Sequence, residues 1–152
     1  PNIRPAVMGD RDLYEAAVEK WAAISSVIKV SDDDVEWLFP NQSIDDVAER
    51  WVRDGAALVV VTRGSEGLIG YTAEGAVEVP GVKVDVADTV GAGDTVGAIV
   101  VEAMVTHGLI ALHGDLLRDV LARAASAAAI TCSRKGAQPP YKHELPMIEA
   151  AK

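Results

Sequence analysis

Apolar positions along the chain recur at two spacings, and the change of spacing marks the elements. Leu13, Ala16, Ala17 and Trp21 stand near helical spacing and predict a helix from about Leu13 to Ala23, capped by Asp10 or Asp12. Val27-Ile28-Lys29-Val30 is a short β-branched run and predicts a buried strand. Ser31 precedes three acids, Asp32, Asp33 and Asp34, the pattern of an N-cap followed by carboxylates at the positive end of a helix dipole. After the break at Asn41-Gln42-Ser43, Ser43 predicts the cap of a third helix with Ile44, Val47, Ala48, Trp51 and Val52 on one face and Gly55 past its end. Ala57-Leu58-Val59-Val60-Val61-Thr62 is an unbroken apolar run, which predicts a strand buried on both faces as in a parallel sheet. Leu68 to Thr72 and Ala76 to Val79, joined by Glu74-Gly75, predict a hairpin; Val82 to Val86 alternates with polar residues and predicts a further strand. Two helices follow, from about Thr95 to Thr106 and from about Gly114 to Thr131, the second with a run of small side chains from Ala122 to Ala129 that permits close packing. Ser133 to Pro140 is a loop, and the last residues form a short helix or fray. The β–α–β alternation predicts one α/β domain with a mostly parallel sheet and a small antiparallel hairpin.

Charge narrows the function. The 152 residues carry 23 acids against 14 lysines and arginines, a net charge of −9. Sequence-independent binding to nucleic acid needs basic side chains to neutralise phosphates, so no nucleic-acid partner is expected. A lone cysteine excludes an internal disulfide framework and points to a reducing compartment. No run of 18 apolar residues exists and no signal peptide opens the chain, so the expectation is a cytoplasmic protein without a membrane partner. An acidic chain can still hold an anion where backbone N–H groups supply the field.

Asp88-Thr89-Val90-Gly91-Ala92-Gly93-Asp94 carries the most chemistry. Gly91, Ala92 and Gly93 lack bulk and open a predicted helix, where several N–H groups have no intrahelical acceptor. With the dipole they make an anion site, although the same glycines also suit a plain strand-to-helix turn. Asp94, in the same turn, would repel a resting phosphate but suits a base that takes a proton from an attacking hydroxyl. Its alternative is an ordinary helix N-terminal acid. The Gly-x-x-x-x-Gly-Lys-Ser/Thr phosphate loop is absent, and Gly91-x-Gly93-x-x-x-Gly97 misses the dinucleotide spacing by one residue.

These residues resemble the C-terminal signature of the ribokinase-like, or pfkB-type, carbohydrate kinases. Three further segments agree in order: Val61-Thr62-Arg63-Gly64-Ser65-Glu66-Gly67, Ser133-Arg134-Lys135-Gly136-Ala137-Gln138, and Pro1-Asn2-Ile3-Arg4-Pro5. The last is similar to a motif of the fructokinase and 2-keto-3-deoxygluconate kinase branch, without its leading Asp. The resemblance implies a ribokinase-like three-layer α/β fold. Family members are about twice this long, so the chain is expected to be the C-terminal nucleotide-binding and catalytic part of one kinase domain. The sugar-binding and lid half would then be a missing partner of the same protein.

The resemblance also assigns roles. It makes Asp94 the general base, with Gly91, Ala92 and Gly93 as the anion hole for a migrating γ-phosphoryl group. Thr62, Gly64 and Gly67 would lie along ATP. Arg4 would reach the transferring phosphate or an acidic sugar, with a solvated arginine as the alternative. Ser31 and Asp34 stand where the family has an Asn-x-x-Glu motif that arranges Mg²⁺ and its waters; a capped acidic helix start explains them as well. Asp88, with the carbonyls of Val90, Thr131, Arg134 and Gly136, resembles a monovalent-cation site. Pro140 replaces a frequent Ser there, which leaves K⁺ dependence open. Ala125 replaces an Asn often found beside adenine, so base recognition would rest on packing. The implied activity is ATP-dependent phosphorylation of a sugar, with fructose ranked first, then 2-keto-3-deoxygluconate, then ribose or a nucleoside. A nucleotide-binding chain without catalysis is the reading from a different class. The intact enzyme is compatible with a homodimer. Cys132 is expected as a small buried hydrophobe, His107, His113 and His143 on the surface, and Trp21, Trp37 and Trp51 in the core.

Overall fold

Four apolar residues in a row decide the architecture. Leu58, Val59, Val60 and Val61 are all fully buried, because strand β2 (Leu58–Thr62) is covered on both faces. Leu58 and Val60 join one hydrophobic cluster and Val59 and Val61 another, as the two-residue period of a strand requires. The protein is described by a computed structural model over residues 3–146. The last-residue prediction therefore falls partly outside the described residues.

The elements run in the order α1 (Pro5–Met8), α2 (Arg11–Ala22), β1 (Val27–Ser31), α3 (Asp32–Leu38), α4 (Ile44–Arg53), β2, β3 (Leu68–Thr72), β4 (Gly75–Val79), α5 (Ala92–His107) and α6 (Gly114–Cys132). The sheet order is β1-β2-β3-β4. Helices α2, α3 and α4 pack on the face holding Ile28, Val30, Val59, Val61 and Tyr71. Helices α5 and α6 cover the other face, over Leu58, Val60, Leu68, Val77 and Val79. The result is the expected three-layer α/β/α arrangement.

The caps form where the sequence places them. Ser31 Oγ accepts from the Asp34 amide at 3.1 Å and Ser43 Oγ from the Asp46 amide at 3.0 Å. Asp10 accepts from the amides of Asp12 and Leu13. Val47, Ala48 and Trp51 of α4 are buried as their spacing predicts. Gly70 in β3 is the small residue that lets α6 lie close on the sheet: a Cβ there would come within 3.0 Å of Leu121 and 3.1 Å of Leu117. Tyr71, buried beneath α4, donates its hydroxyl to Asp45, and burial with that carboxylate pushes the phenol above its ordinary pKa.

Four expectations are corrected. Only β1 and β2 pair in parallel; β2–β3 and β3–β4 are antiparallel, so the described sheet is mixed, not mostly parallel. The physical reason is connection length. Helices α3 and α4 fit between β1 and β2, whereas the short turn from Arg63 to Gly67 permits only a hairpin. Val82 to Val86 pairs with no strand and is exposed. Trp21 is 54% exposed on α2, while Trp51 is buried and Trp37 is half-buried. His113 and His143 lie on the surface and His107 is half-buried.

Candidate active site

The site is built where α5 begins. Gly91 is the N-cap, with φ +84°, a conformation that favours glycine. A Cβ on Gly91 would also lie 2.9 Å from the Ala137 Cβ, so the glycine serves both backbone turn and close contact with the loop after α6. Ala92 N–H reaches Thr89 O at 3.3 Å and Thr95 N–H reaches Gly91 O at 2.9 Å. The amides of Gly93 and Asp94 between them find no acceptor among the described residues. They are free donors at the positive end of a 16-residue helix. Asp94 is exposed in the same turn and makes no hydrogen bond or salt bridge among the described residues.

Behind this turn the structure is braced. Thr95 and Thr131 hydroxyls lie 3.0 Å apart, and Thr131 is fully buried, tying the start of α5 to the end of α6. Asp88 is the second brace. Its Oδ1 accepts from the Val90 amide and its Oδ2 from the Gly136 amide, both at 3.0 Å. Its own amide and that of Ala87 donate to the Cys132 carbonyl. One carboxylate thus joins the segment entering α5 to the loop leaving α6. Those two amide donors hold the Asp88 carboxyl below its ordinary value of 3.8.

That shift has a sign. A depressed folded value means the brace contributes stability above pH 3.8 and loses it as pH falls through the lower folded value. Wild type should therefore melt above Asp88→Asn near neutral pH, and the gap should close below 3.8. Melting curves of both proteins from about pH 6 to about pH 2 check this; a constant gap would contradict the brace.

A cavity of about 530 Å³ opens beside the helix start. Ala92 and Gly93 form part of one wall, and Thr62, Gly64 and Gly67 at the end of β2 form another. Ala125, Ala129 and Cys132 of α6 close the apolar end, with Val82, Val84 and Val86 across it. The segment reaches that place because Gly67 and Gly81 let two backbones touch. A Cβ on Gly67 would lie 2.6 Å from Gly81 N and 2.6 Å from Pro80 C, and a Cβ on Gly81 would lie 2.8 Å from Ser65 C. The alternation at Val82–Val86 is thus the lining of a cavity, not the pleat of a strand. Cys132 is half-buried against the cavity and not a fully buried hydrophobe; burial and the nearby Asp88 push its thiol pKa up.

The fold therefore gathers Thr62, Gly64, Gly67, Ala92, Gly93 and Ala125, with Gly91 and Asp94 adjoining them in the chain. Arg4 and Asp34 do not line this cavity. Arg4 is exposed and donates to the Ile3 carbonyl at 3.1 Å. Asp34 is buried, with Oδ1 accepting from the Ile3 amide at 3.0 Å. Pro1 and Asn2 of the N-terminal motif lie outside the described residues.

The side chains offered to Mg²⁺ are few. No three His, Cys, Asp or Glu gather into a metal cluster among the described residues. Asp34 is a single carboxylate already engaged, so Mg²⁺ would come held by phosphates and water, not by a protein cage. At the expected K⁺ site, the amides of Val90 and Gly136 donate to Asp88, and the Asp88 amide donates to the Cys132 carbonyl; Arg134 donates its amide to the Thr131 carbonyl one turn away. Both Asp88 oxygens, the Thr131 carbonyl and the Gly136 carbonyl accept internal hydrogen bonds, and each keeps a further lone pair. No helix of the described residues is long and apolar enough to cross a membrane.

One residue of the site was missed from sequence. Lys29 of β1 points away from Ile28 and Val30, which face α2–α4, and its Nζ lies 2.6 Å from where a Gly93 Cβ would stand. The signal was one charge inside a β-branched run.

Residues 1–144 match the family described as pfkB family carbohydrate kinase. A fructokinase of Rhizobium leguminosarum bv. trifolii is 41% identical over 110 residues, 72% of this chain and 34% of its own length. Fructokinase-2 of Zea mays is 33% identical over 154 residues, 99% of this chain and 44% of its own length. The chain thus spans between a third and a half of these relatives. Among solved structures, a fructokinase double mutant of Vibrio cholerae O395 in fructose, ADP and potassium ion bound form superposes with a TM-score of 0.76, 28% identity and coverage of 90% of this chain and 44% of that one. Aminoimidazole riboside kinase of Salmonella enterica, complexed with aminoimidazole riboside and an ATP analog, gives 0.76 at 27% identity, covering 90% of this chain and 45% of that one.

Proposed function

The chain belongs to the pfkB family of carbohydrate kinases, and from that premise we propose that the full-length protein transfers the γ-phosphoryl group of ATP to a sugar hydroxyl, with fructose as first candidate. Residues 1–152 supply the nucleotide and catalytic part; the remaining sugar wall comes from elsewhere in the protein. The observation that carries the reading is the Gly91-Ala92-Gly93-Asp94 turn, with two free amides and an exposed carboxylate beside a cavity of about 530 Å³. The fructokinase names of the relatives support fructose over 2-keto-3-deoxygluconate or ribose.

The chemistry divides among few groups. ATP, when bound, supplies the phosphoryl group and the leaving group. The apolar end at Ala125, Ala129, Val82 and Val84 takes a flat base by packing, with no side-chain amide at Ala125 to read its edge. Thr62, Gly64 and Gly67 let phosphates pass close to backbone. The Gly93 and Asp94 amides face the charge that spreads over phosphoryl oxygens during transfer, which is where fixed dipoles accelerate such reactions. Asp94 accepts the proton of the sugar hydroxyl as its oxygen attacks.

The test is ADP formation by the full-length protein with fructose, 2-keto-3-deoxygluconate or ribose added. Fructose is expected to give the highest kcat/KM. ADP binding by calorimetry without any sugar-stimulated turnover would replace this reading with a nucleotide-binding module.

A further inference from the structure

We propose that the apolar end of the cavity selects a nucleotide by the face of its base and not by its edge, so that GTP and ITP serve as phosphoryl donors beside ATP. This deepens the reading above and rests on it. The bond broken is the same in each donor: the γ-phosphoryl group passes to the sugar oxygen and the nucleoside diphosphate leaves. The lining is the first argument. Ala125, Ala129 and Cys132 of α6 face Val82, Val84 and Val86. Alanine and valine side chains neither donate nor accept a hydrogen bond. Among the described residues, the hydroxyls of the lining stand elsewhere, Thr62 and Ser65 after β2 and Thr89 before α5. Two side-chain donors remain near the base. The Cys132 thiol is a weak one, held protonated by burial and by Asp88, and Lys83 is exposed between two of the valines.

Exposure is the second argument. Val82, Val84 and Val86 are 47%, 38% and 63% exposed, and none of them joins either hydrophobic cluster. A flat ring placed between this wall and the alanines of α6 covers apolar surface on both of its faces, a gain that follows area and not hydrogen-bonding pattern. The same half-open wall leaves the rim of the ring to water. An edge group that keeps its water pays no penalty for lacking a protein partner. The backbone from 82 to 86 makes no hydrogen bond among the described residues, so N–H and C=O groups are both on offer to either edge. Adenine turns an amino group to the rim where guanine and hypoxanthine turn a carbonyl, and the site accommodates all three.

Magnitude separates the two kinds of recognition. An apolar pocket distinguishes close analogues by about 10–200-fold, whereas a site built to hydrogen-bond an edge does so by about 10⁴–10⁵. The test is calorimetry on the full-length protein with ADP, IDP and GDP, together with initial rates with ATP, ITP and GTP on whichever sugar turns over fastest with ATP. The three bases should agree within about 200-fold in Kd and in kcat/KM. Val84→Ala should weaken ADP and GDP alike, by about three- to tenfold, the worth of one or two partly covered methyl groups. Lys83→Ala and Cys132→Ala should each leave the ratio of ADP to GDP affinity within about threefold of wild type. A wild-type preference for adenine above about 200-fold, in Kd or in kcat/KM, overturns the inference and leaves the kinase reading standing. A ratio that moves further than threefold in Lys83→Ala or Cys132→Ala also overturns it, because that side chain then reads the edge. Failure of wild type to bind any of the three diphosphates overturns the nucleotide reading and this inference together.

Discussion

Asp94→Asn in the full-length protein should lower kcat for sugar phosphorylation by about 10²–10⁴-fold, the usual worth of general-base help. A hydroxyl attacks poorly until its proton has somewhere to go, and Asp94 is the carboxylate in the turn that holds the free amides. Asn keeps the size and shape and cannot accept that proton at neutral pH. KM for ATP should change little, since the lost interaction belongs to the transition state. The structure sharpens the comparison with a purely structural role. Asp94 is exposed and holds nothing else in place, so its structural worth is limited to the helix dipole, about 0.3–1 kcal/mol. Measuring kcat and Tm on the same variant decides between them. A kcat within about threefold of wild type, with a lowered Tm, would remove Asp94 from the chemistry, because the expected loss is far larger.

What the sequence made legible was local. Ser31, Ser43 and Asp10 cap their helices because capping is decided within three residues. The double burial of β2 was readable because four consecutive apolar residues leave no polar face. The Gly91–Asp94 turn was readable for the same reason: its donors and carboxylate lie in one helical turn. What failed was non-local. Strand direction between β2 and β3 depends on where the chain goes after Arg63, and the apolar pattern is the same for either direction. Val82–Val86 has a strand's alternation, but the contact of Gly67 with Gly81 carries it over the cavity instead. Lys29 becomes part of the site only through the crossover that sets β1 beside β2 and beneath α5.

Gly67→Ala should be the most damaging small substitution around the cavity. Gly67 has φ +108°, which an L side chain tolerates badly, at a cost of about 1–3 kcal/mol. Its added Cβ would also press on the Val79 carbonyl oxygen, Pro80 C and Gly81 N, all backbone, so no side-chain rotation relieves the clash. Overpacking of that kind adds roughly 1–3 kcal/mol. The two segments must separate, and with them goes the wall formed by Val82, Val84 and Val86. The expected result is a Tm drop on the order of 10 °C together with loss of adenosine and ATP binding. Gly75→Ala is the matched control: Gly75 has φ +121° but meets nothing within 4 Å, so it carries the backbone strain without the clash. Gly75→Ala should cost only the strain and keep nucleotide affinity. Equal effects of the two substitutions on Tm and on binding would mean that the contact of Gly67 with Gly81 does not hold the cavity wall in place.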